Sequence, residues 1–306
     1  MHGWIILDKP HGLGSTQAVA AVKRALRDSG AGKCKVGHGG TLDPLATGVL
    51  PVAVGEATKL AGRMLDSDKI YDFTVAFGTQ TDTLDLEGAI IATSDHRPTL
   101  AEVEAILPRF TGSIEQAPPA YSAILIDGQR AYDLARAGQD VEMKLRSVTI
   151  HALTPVRFEL AEGEGLLATL TLTAHVSKGT YIRSLARDIA RALGTVGHVT
   201  MLRRVKAGPF GLDQAISLDK LRQAANEREI GQLMLPLTTG LDDIPALPVD
   251  PDQALALRQG RILDGAGVAT GLHLAIDGII PVALVNAEGG EIRVVRGFNL
   301  MSKEEE

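Results

Sequence analysis

A single carboxylate, Asp43, stands in the segment Gly37-His-Gly-Gly-Thr-Leu-Asp-Pro-Leu-Ala-Thr-Gly-Val-Leu-Pro51. Glycine lets a backbone take positive φ and come close to a ligand. Pro44 keeps the preceding Asp43 out of the α region. Such a loop can hold one acid in a fixed, exposed pose beside a bulky substrate. A carboxylate presented in this way can serve as a nucleophile, dividing one difficult step into two through a covalent intermediate, or as a base. Taken alone, the same residues also describe a surface turn in which the aspartate bonds its own backbone, so the rest of the chain has to decide.

The flanking elements are legible from periodicity. Ile5–Leu7 reads as a strand entering a turn at Lys9–Gly14. Ala18, Val19, Val22, Ala25 and Leu26 recur at helical spacing between a Ser15 or Thr16 N-cap and a stop at Gly30. Leu50–Val54 is a short buried strand, and Glu56–Leu65 is expected to be a helix. Tyr71, Phe73, Val75 and Phe77 alternate as in a half-buried strand. Thr99-Leu-Ala-Glu102 is a capping box, and Asp127-Gly128 is a hairpin turn following Tyr121–Ile126. Arg130–Ala137 reads as a helix, Val148–Leu160 and Leu166–Ala174 as strands, Thr180–Leu193 as a helix stopped by Gly194, and Val199–Val205 as a strand. Strands and helices mix without regular βαβ alternation, so the expected class is α+β with a mostly antiparallel mixed sheet. Thr238–Pro251, with its three prolines, reads as a linker. Beyond it, Leu272–Ile276, Pro281–Val285 and Ile292–Val295 predict a small β-rich module. The expected organisation is a catalytic domain over 1–240, a small domain over 247–300 and an acidic tail at 301–306.

Composition narrows the function classes. The 306 residues suffice for a well-buried core, and 45% apolar with 22% charged residues is ordinary globular usage. Cys34 is the only cysteine, which excludes an intrachain disulfide and a zinc-finger-type metal site. The start, Met1–Asp8, lacks a basic n-region, and no run approaches the ~20 apolar residues needed to span a bilayer, so a cytoplasmic protein without membrane contact is expected. Gly55-Glu-Ala-Thr-Lys59 lacks the spacing of a phosphate-binding P-loop, and Gly12-Leu-Gly14 is not completed to a dinucleotide fingerprint. H-E-x-x-H, C-x-x-C and G-x-S-x-G are all missing from the sequence.

Several separated motifs point the same way. Gly37–Pro51 with Gly55–Lys59 resembles the catalytic signature of the TruB family of tRNA pseudouridine synthases. Leu7-Asp-Lys-Pro-His-Gly12 is similar to that family's N-terminal motif, and Asp68-Lys-Ile-Tyr71 with Gly78–Asp85 to its tyrosine motif. Gln116–Ala123, Ser177-Lys-Gly-Thr-Tyr-Ile-Arg183 and Leu202-Arg-Arg204 complete the resemblance, in family order over the first 210 or so residues. The chain departs from the family pattern at Gly39, Leu125 and Val176, where Thr, Lys and Cys are usual.

The resemblance implies the pseudouridine synthase fold, a curved sheet with helices around a central cleft, followed by a C-terminal RNA-contacting domain often of PUA type. It implies isomerisation of uridine 55 in the T loop of tRNA, with the base flipped out, by an enzyme that is cytoplasmic and monomeric. The reaction breaks the N1–C1′ bond, turns the base and rejoins it through C5; with no redox change it needs no cofactor and no metal. The compact chain favours a stand-alone enzyme with no obligatory protein partner over a guide-RNA-dependent synthase or a non-catalytic tRNA-binding protein. Asp43 is then the nucleophile and Arg183 its ion-pair partner. His38, Tyr71, Tyr181 and Leu202 are the expected substrate-binding residues, with Tyr71 stacked on the base and His38 filling the space it vacates.

The net charge of −6, from 31 basic and 37 acidic residues, sits awkwardly with an RNA substrate. Its distribution is uneven. Lys178, Arg183, Arg187, Arg191, Arg203, Arg204 and Lys206 form one basic run, interrupted only by Asp188. Lys23, Arg24, Arg27, Lys33 and Lys35 form another. The two runs are expected to converge around the cleft, with Lys178, Arg203, Arg204, Lys206, Lys23 and Arg24 on the RNA backbone.

Overall fold

The computed structural model describes residues 1–122, 124–139, 141, 143–162 and 165–300. The expected acidic tail at 301–306, Ala123 of the Gln116–Ala123 motif and the Gly163–Glu164 end of an acidic stretch lie outside the described residues. In chain order the elements are β1 (Gly3–Lys9), α1 (Ser15–Asp28), β2 (Val36–His38), β3 (Thr47–Val54), α2 (Ala61–Asp66), β4 (Lys69–Phe77), β5 (Thr79–Thr81), β6 (Ile90–Thr93) and α3 (Leu100–Ile106). Next come β7 (Gly112–Gln116), β8 (Leu125–Ile126), β9 (Gln129–Arg130), α4 (Ala131–Arg136), β10 (Arg146–Leu160), β11 (Leu167–Val176), α5 (Ile182–Ala192), β12 (Gly197–Ala207) and β13 (Phe210–Gly211). The chain continues through α6 (Leu218–Asn226), β14 (Ala246–Pro248), α7 (Pro251–Arg258), β15 (Leu263–Asp264), β16 (Gly271–Asp277), β17 (Ile280–Glu288) and β18 (Glu291–Gly297).

The central sheet has nine strands and runs β1-β3-β12-β4-β11-β10-β7, with β2 beside β3 and β13 beside β12. Every pairing is antiparallel except β3 with β12, which meet in parallel at Arg203↔Thr47 and Arg204↔Gly48. This crossing demands glycine. Gly48 has φ +98°, and a Cβ there would lie 2.2 Å from the Arg204 carbonyl oxygen.

Side chains alternate across a strand, and β1 is buried on both faces. Ile5 and Leu7 join α1, α5 and the middle of the sheet in the main core, which also holds Val22, Leu26, Leu50, Phe73, Leu170, Leu185 and Ile189. Trp4 and Ile6 point the other way, into a second core with Val49, Ala53, Met64 and Phe210. That second core also contains Leu274 and Leu284 of a five-stranded sheet ordered β14-β16-β17-β18-β15, and Phe298 just beyond β18. The small C-terminal β-rich domain is therefore docked by shared apolar burial. Lys59 Nζ donating to the Gly297 carbonyl at 2.8 Å and an Arg63–Asp243 ion pair at 2.8 Å flank the contact.

Local expectations fail where tertiary contacts intervene. The residue capping α1 is Gly14, whose N–H is met by the Gln17 side chain at 2.9 Å, because Ser15 is committed elsewhere. The single helix expected over Glu56–Leu65 is a 3-10 turn at Gly55–Leu60 followed by α2. Thr238–Pro251 is more than a linker. It starts in a 3-10 turn (Leu237–Leu241), supplies β14 as a parallel edge strand on β16, and ends in the Asp250 cap of α7. Of the described residues in Tyr121–Ile126, the last two are strand, and they pair across the Asp127-Gly128 turn where φ is +50° and +85°.

Candidate active site

Asp43 lies on the loop between β2 and β3, and the loop is pinned from four directions. Gly39 N–H donates to the Pro51 carbonyl at 2.8 Å, closing the β2–β3 side. The Ser15 hydroxyl accepts from Leu42 N–H at 2.8 Å and donates to the Leu42 carbonyl at 2.9 Å, so the start of α1 holds the residue before Asp43. Gly12 N–H and Lys9 Nζ both donate to the Pro44 carbonyl, at 2.8 and 3.3 Å, holding the residue after it. Leu42, Leu45 and Ala46 are buried beneath. The carboxylate is left 41% exposed at the lip of a cavity of about 300 Å³.

Arg204 supplies the fourth anchor. Its side chain is 1% exposed and donates to the carbonyls of Val49 at 2.7 Å, Gly40 at 3.1 Å and Thr41 at 3.4 Å. This corrects the expectation that it contacts RNA phosphate. It faces inward because β12 runs parallel to β3 directly beneath the loop. Lys9 is likewise fully buried, donating to Leu13, Pro10 and Pro44 carbonyls. Burial pushes its pKa down to about 8, against the attraction of Asp43 and with the repulsion of Arg204. Sequence reasoning gave Lys9 no role at the site and Ser15 only that of a candidate N-cap, although both lie in or near the N-terminal motif.

Arg183 and Asp43, 140 residues apart in sequence, meet at 2.8 Å between Nη2 and Oδ2. Arg183 stands in the first turn of α5 and is nearly buried. A second carboxylate, Asp85, binds the same guanidinium at 3.2 Å, while the carbonyls of Thr83 and Tyr121 accept from it at 2.9 and 3.1 Å. Asp85 is itself buried and accepts from Thr83 Oγ1 at 2.5 Å and Glu87 N–H at 3.0 Å. The turn that delivers it puts the buried Leu84 at φ +64°, a left-handed conformation that costs a bulky residue energy. Planar, five-donor arginine can hold both acids and both carbonyls at once, more partners than the three donors of a lysine can serve. Asp85 was quoted in a motif without a role; the positive φ beside it is invisible in sequence.

The cavity is lined by Asp43, Tyr71, Tyr181, Arg183 and Leu202 together with Lys69, Ser122, Val176 and Arg204. Five of the residues expected at the site thus converge. Tyr71 projects from β4, Leu202 from β12, and Tyr181 precedes α5, its N–H held by Gln116 Oε1 at 2.8 Å. Burial raises the Tyr181 pKa above its ordinary value. Ser122 is buried in the same wall, close to the Tyr181 hydroxyl. Lys69 caps the carbonyls of Met64, Leu65 and Ser67, and burial lowers its pKa to about 8.

His38 does not line this cavity. It ends β2 opposite Val52, half-buried, with Nδ1 accepting from Gly40 N–H at 3.4 Å; burial first, then Arg204, lowers its pKa. Not every member of the basic runs is a free surface cation. Arg183 and Arg204 are buried, and Arg187 is tied to Asp188 at 2.8 Å. Lys178 is exposed and paired with Asp66 at 2.9 Å, Arg203 forks onto Asp8 at 2.8 and 3.0 Å, and Lys206 is exposed on β12. Lys23 and Arg24 are exposed on α1, where Arg24 borders a groove against α6 and not the Asp43 cavity. At Gly39 a Cβ would come within 2.5 Å of Met64 Cβ, so the departure from the usual Thr fits the methionine that occupies its space.

Residues 24–182 match the TruB family pseudouridylate synthase N-terminal domain, and 183–242 match the tRNA pseudouridylate synthase B C-terminal domain. The chain belongs to the TruB family of pseudouridylate synthases. It is accordingly an isomerase. A tRNA pseudouridine synthase B of Novosphingobium aromaticivorans is 67% identical over 97% of both chains. One of Zymomonas mobilis is 60% identical over 98% of this chain and 96% of its own. Among solved structures, an H/ACA RNP bound to a substrate RNA containing 2′-deoxyuridine gives a TM-score of 0.73 at 23% identity, covering 99% of this chain and 86% of that one. A Cbf5-Nop10-Gar1 complex also gives 0.73 at 24% identity, with the same coverage of 99% and 86%. At that identity these neighbours establish the pseudouridine synthase fold. Among the described residues, no helix is long and apolar enough to cross a membrane.

Proposed function

We propose that this TruB-family enzyme isomerises uridine 55 in the T loop of tRNA, with Asp43 as the attacking carboxylate. The observation that carries the reading is the pairing of a partly exposed Asp43 with a buried Arg183 at 2.8 Å on the wall of a base-sized cavity. The relatives at 67% and 60% identity bear the name of tRNA pseudouridine synthase B, which supports tRNA as substrate. The guanidinium pairs with the carboxylate and aims it, as a nucleophile or base must be aimed. Tyr71 offers a face for stacking on the flipped base, worth about 1–3 kcal/mol per base, while Tyr181 and Leu202 close the sides. The buried Ser122 hydroxyl on the cavity wall suits a pyrimidine carbonyl. Lys178, Arg203, Lys206, Lys23 and Arg24 contact phosphates, and the small domain extends that surface as a PUA-like module. His38, beside the loop, takes the place of the extruded nucleotide.

The test is Asp43→Asn, assayed as purified protein alone with an unmodified tRNA transcript, followed by mapping of pseudouridine. The variant is expected to form no product while keeping tRNA affinity within about tenfold, or ~1.4 kcal/mol. Substantial turnover by the variant would refute the role of Asp43. Wild-type activity only after adding a guide RNA or protein partner would refute a stand-alone enzyme. Product at another uridine would refute the site.

A further inference from the structure

On the sheet face turned away from the Asp43 cavity, three side chains meet that the catalytic reading does not use. Lys69 and Tyr71 of β4 and Val176 of β11 line the cavity. By strand alternation Asp68 and His175, one residue away, point to the other side. His151 follows the buried Ile150 on β10 and so points to the same side. The register of β10 on β11 jumps between Ile150↔Val176 and Ala152↔His175, so His151 is the extra residue of a β-bulge. The consequence shows in burial, with Ile150 in the core and both His151 and Ala152 exposed. Within the bulge, His151 and Ala152 together face the single partner residue His175.

We propose that Asp68, His151 and His175 form a binding site for a divalent borderline metal ion, of which Zn²⁺ is the best chemical match. One imidazole nitrogen from each histidine and one carboxylate oxygen all lie within 4.8 Å of one another. His151 Nε2 is 3.1 Å and His175 Nε2 is 3.7 Å from the same Asp68 Oδ2, and the two rings are 4.7 Å apart. Zinc–nitrogen and zinc–oxygen bonds of about 2.0–2.1 Å in a tetrahedron set ligand–ligand edges of roughly 3.3–3.4 Å. The observed spacings bracket that edge, so small rotations of the imidazoles complete the triangle. Two imidazoles with one carboxylate suit zinc, cobalt or nickel, whereas calcium and magnesium prefer oxygen-only sets. Three protein donors leave a fourth position open to solvent. The donors come from the end of the loop before β4, from β10 and from β11, so a bound ion would clip together three adjacent strands that carry Tyr71 and the approach to Arg183. The site is independent of the reaction proposed above.

Untagged protein, stripped with chelator and dialysed, is titrated with Co²⁺ and followed by visible absorption, with Zn²⁺ then added as competitor. The expected result is one equivalent of Co²⁺ with a tetrahedral ligand-field spectrum, displaced by Zn²⁺, and a Zn²⁺-dependent rise in Tm. His151→Ala, on the exposed bulge, should weaken Co²⁺ binding by at least about 100-fold, more than loss of an outer-shell partner, and Asp68→Asn should do likewise. Both variants should keep the metal-free Tm of the wild type. No binding by the wild type would overturn the proposal, and so would equal binding by wild type and both variants.

Discussion

Arg204→Met separates a buried anchor from a phosphate contact. Methionine fills a comparable volume but leaves the carbonyls of Val49, Gly40 and Thr41 without their donor. A hydrogen bond from a charged group contributes about 1.5–3 kcal/mol, and a buried acceptor left bare costs about 1–3 kcal/mol. The two shorter bonds, at 2.7 and 3.1 Å, dominate; the third, at 3.4 Å, adds little. Removing a buried charge that has no carboxylate partner among the described residues gives some of this back. The net loss is about 3–5 kcal/mol, or a fall in Tm of roughly 6–10 °C at ~2 °C per kcal/mol for a domain of this size. Because Gly40 and Thr41 lead into Asp43, turnover should fall by more than tenfold. The slope of log tRNA affinity against log salt should stay unchanged, since the side chain is 1% exposed. Differential scanning calorimetry, single-turnover pseudouridylation and a salt titration measure the three quantities. A slope reduced by about one, with an unchanged Tm, would mean that Arg204 reaches a phosphate after all.

Other outcomes follow from the same geometry. Arg203→Ala or Lys206→Ala should each lower that slope by roughly 0.7–0.9 without moving the modified position, and a flat wild-type salt dependence would remove the electrostatic reading of the surface cations. Gly48→Ala, which places a Cβ 2.2 Å from the Arg204 carbonyl oxygen at φ +98°, should destabilise by more than about 4 kcal/mol and yield little soluble protein; normal expression and Tm would contradict the crossing geometry. Phe298→Ala should cost about 3–5 kcal/mol, because its 2%-exposed ring is part of the core shared by the two sheets; a change under 1 kcal/mol in urea unfolding would show that the small domain is only loosely attached. Burial lowers Lys9 from 10.5 to about 8, so between those pH values the unfolded chain binds more protons and the contribution of Lys9 to stability rises with pH. Urea midpoints at pH 8 and pH 10 should therefore show that rise in wild type and a smaller one in Lys9→Met; equal changes in both would refute it.

Local chemistry made much of the molecule readable before folding. Alternation along Tyr71–Phe77 became β4, the Thr99-Leu-Ala-Glu102 box caps α3, and Asp127-Gly128 turns β8 into β9, because each depends on neighbours within a few residues. The motif around Asp43 pointed to the acid, and the Ser177–Arg183 motif to its partner. What remained hidden depends on contacts between distant segments. Arg203 and Arg204 are adjacent and chemically identical, yet strand alternation sends one to Asp8 at the surface and the other beneath the Asp43 loop. Only the parallel crossing of β12 on β3 sets which is which. Lys9 and Ser15 acquire roles because β1 and α1 converge on residues 42–44, and Asp85 because a left-handed Leu84 turns it toward α5. The proposed metal site depends on the neighbouring of β4, β11 and β10 in the sheet, which brings Asp68, His175 and His151 together and leaves no mark in hydrophobic periodicity. A residue's type and spacing thus determined what chemistry it could do. The face of the sheet on which it landed decided whether it does so, because that face is set by register and crossing, which are properties of the assembled sheet.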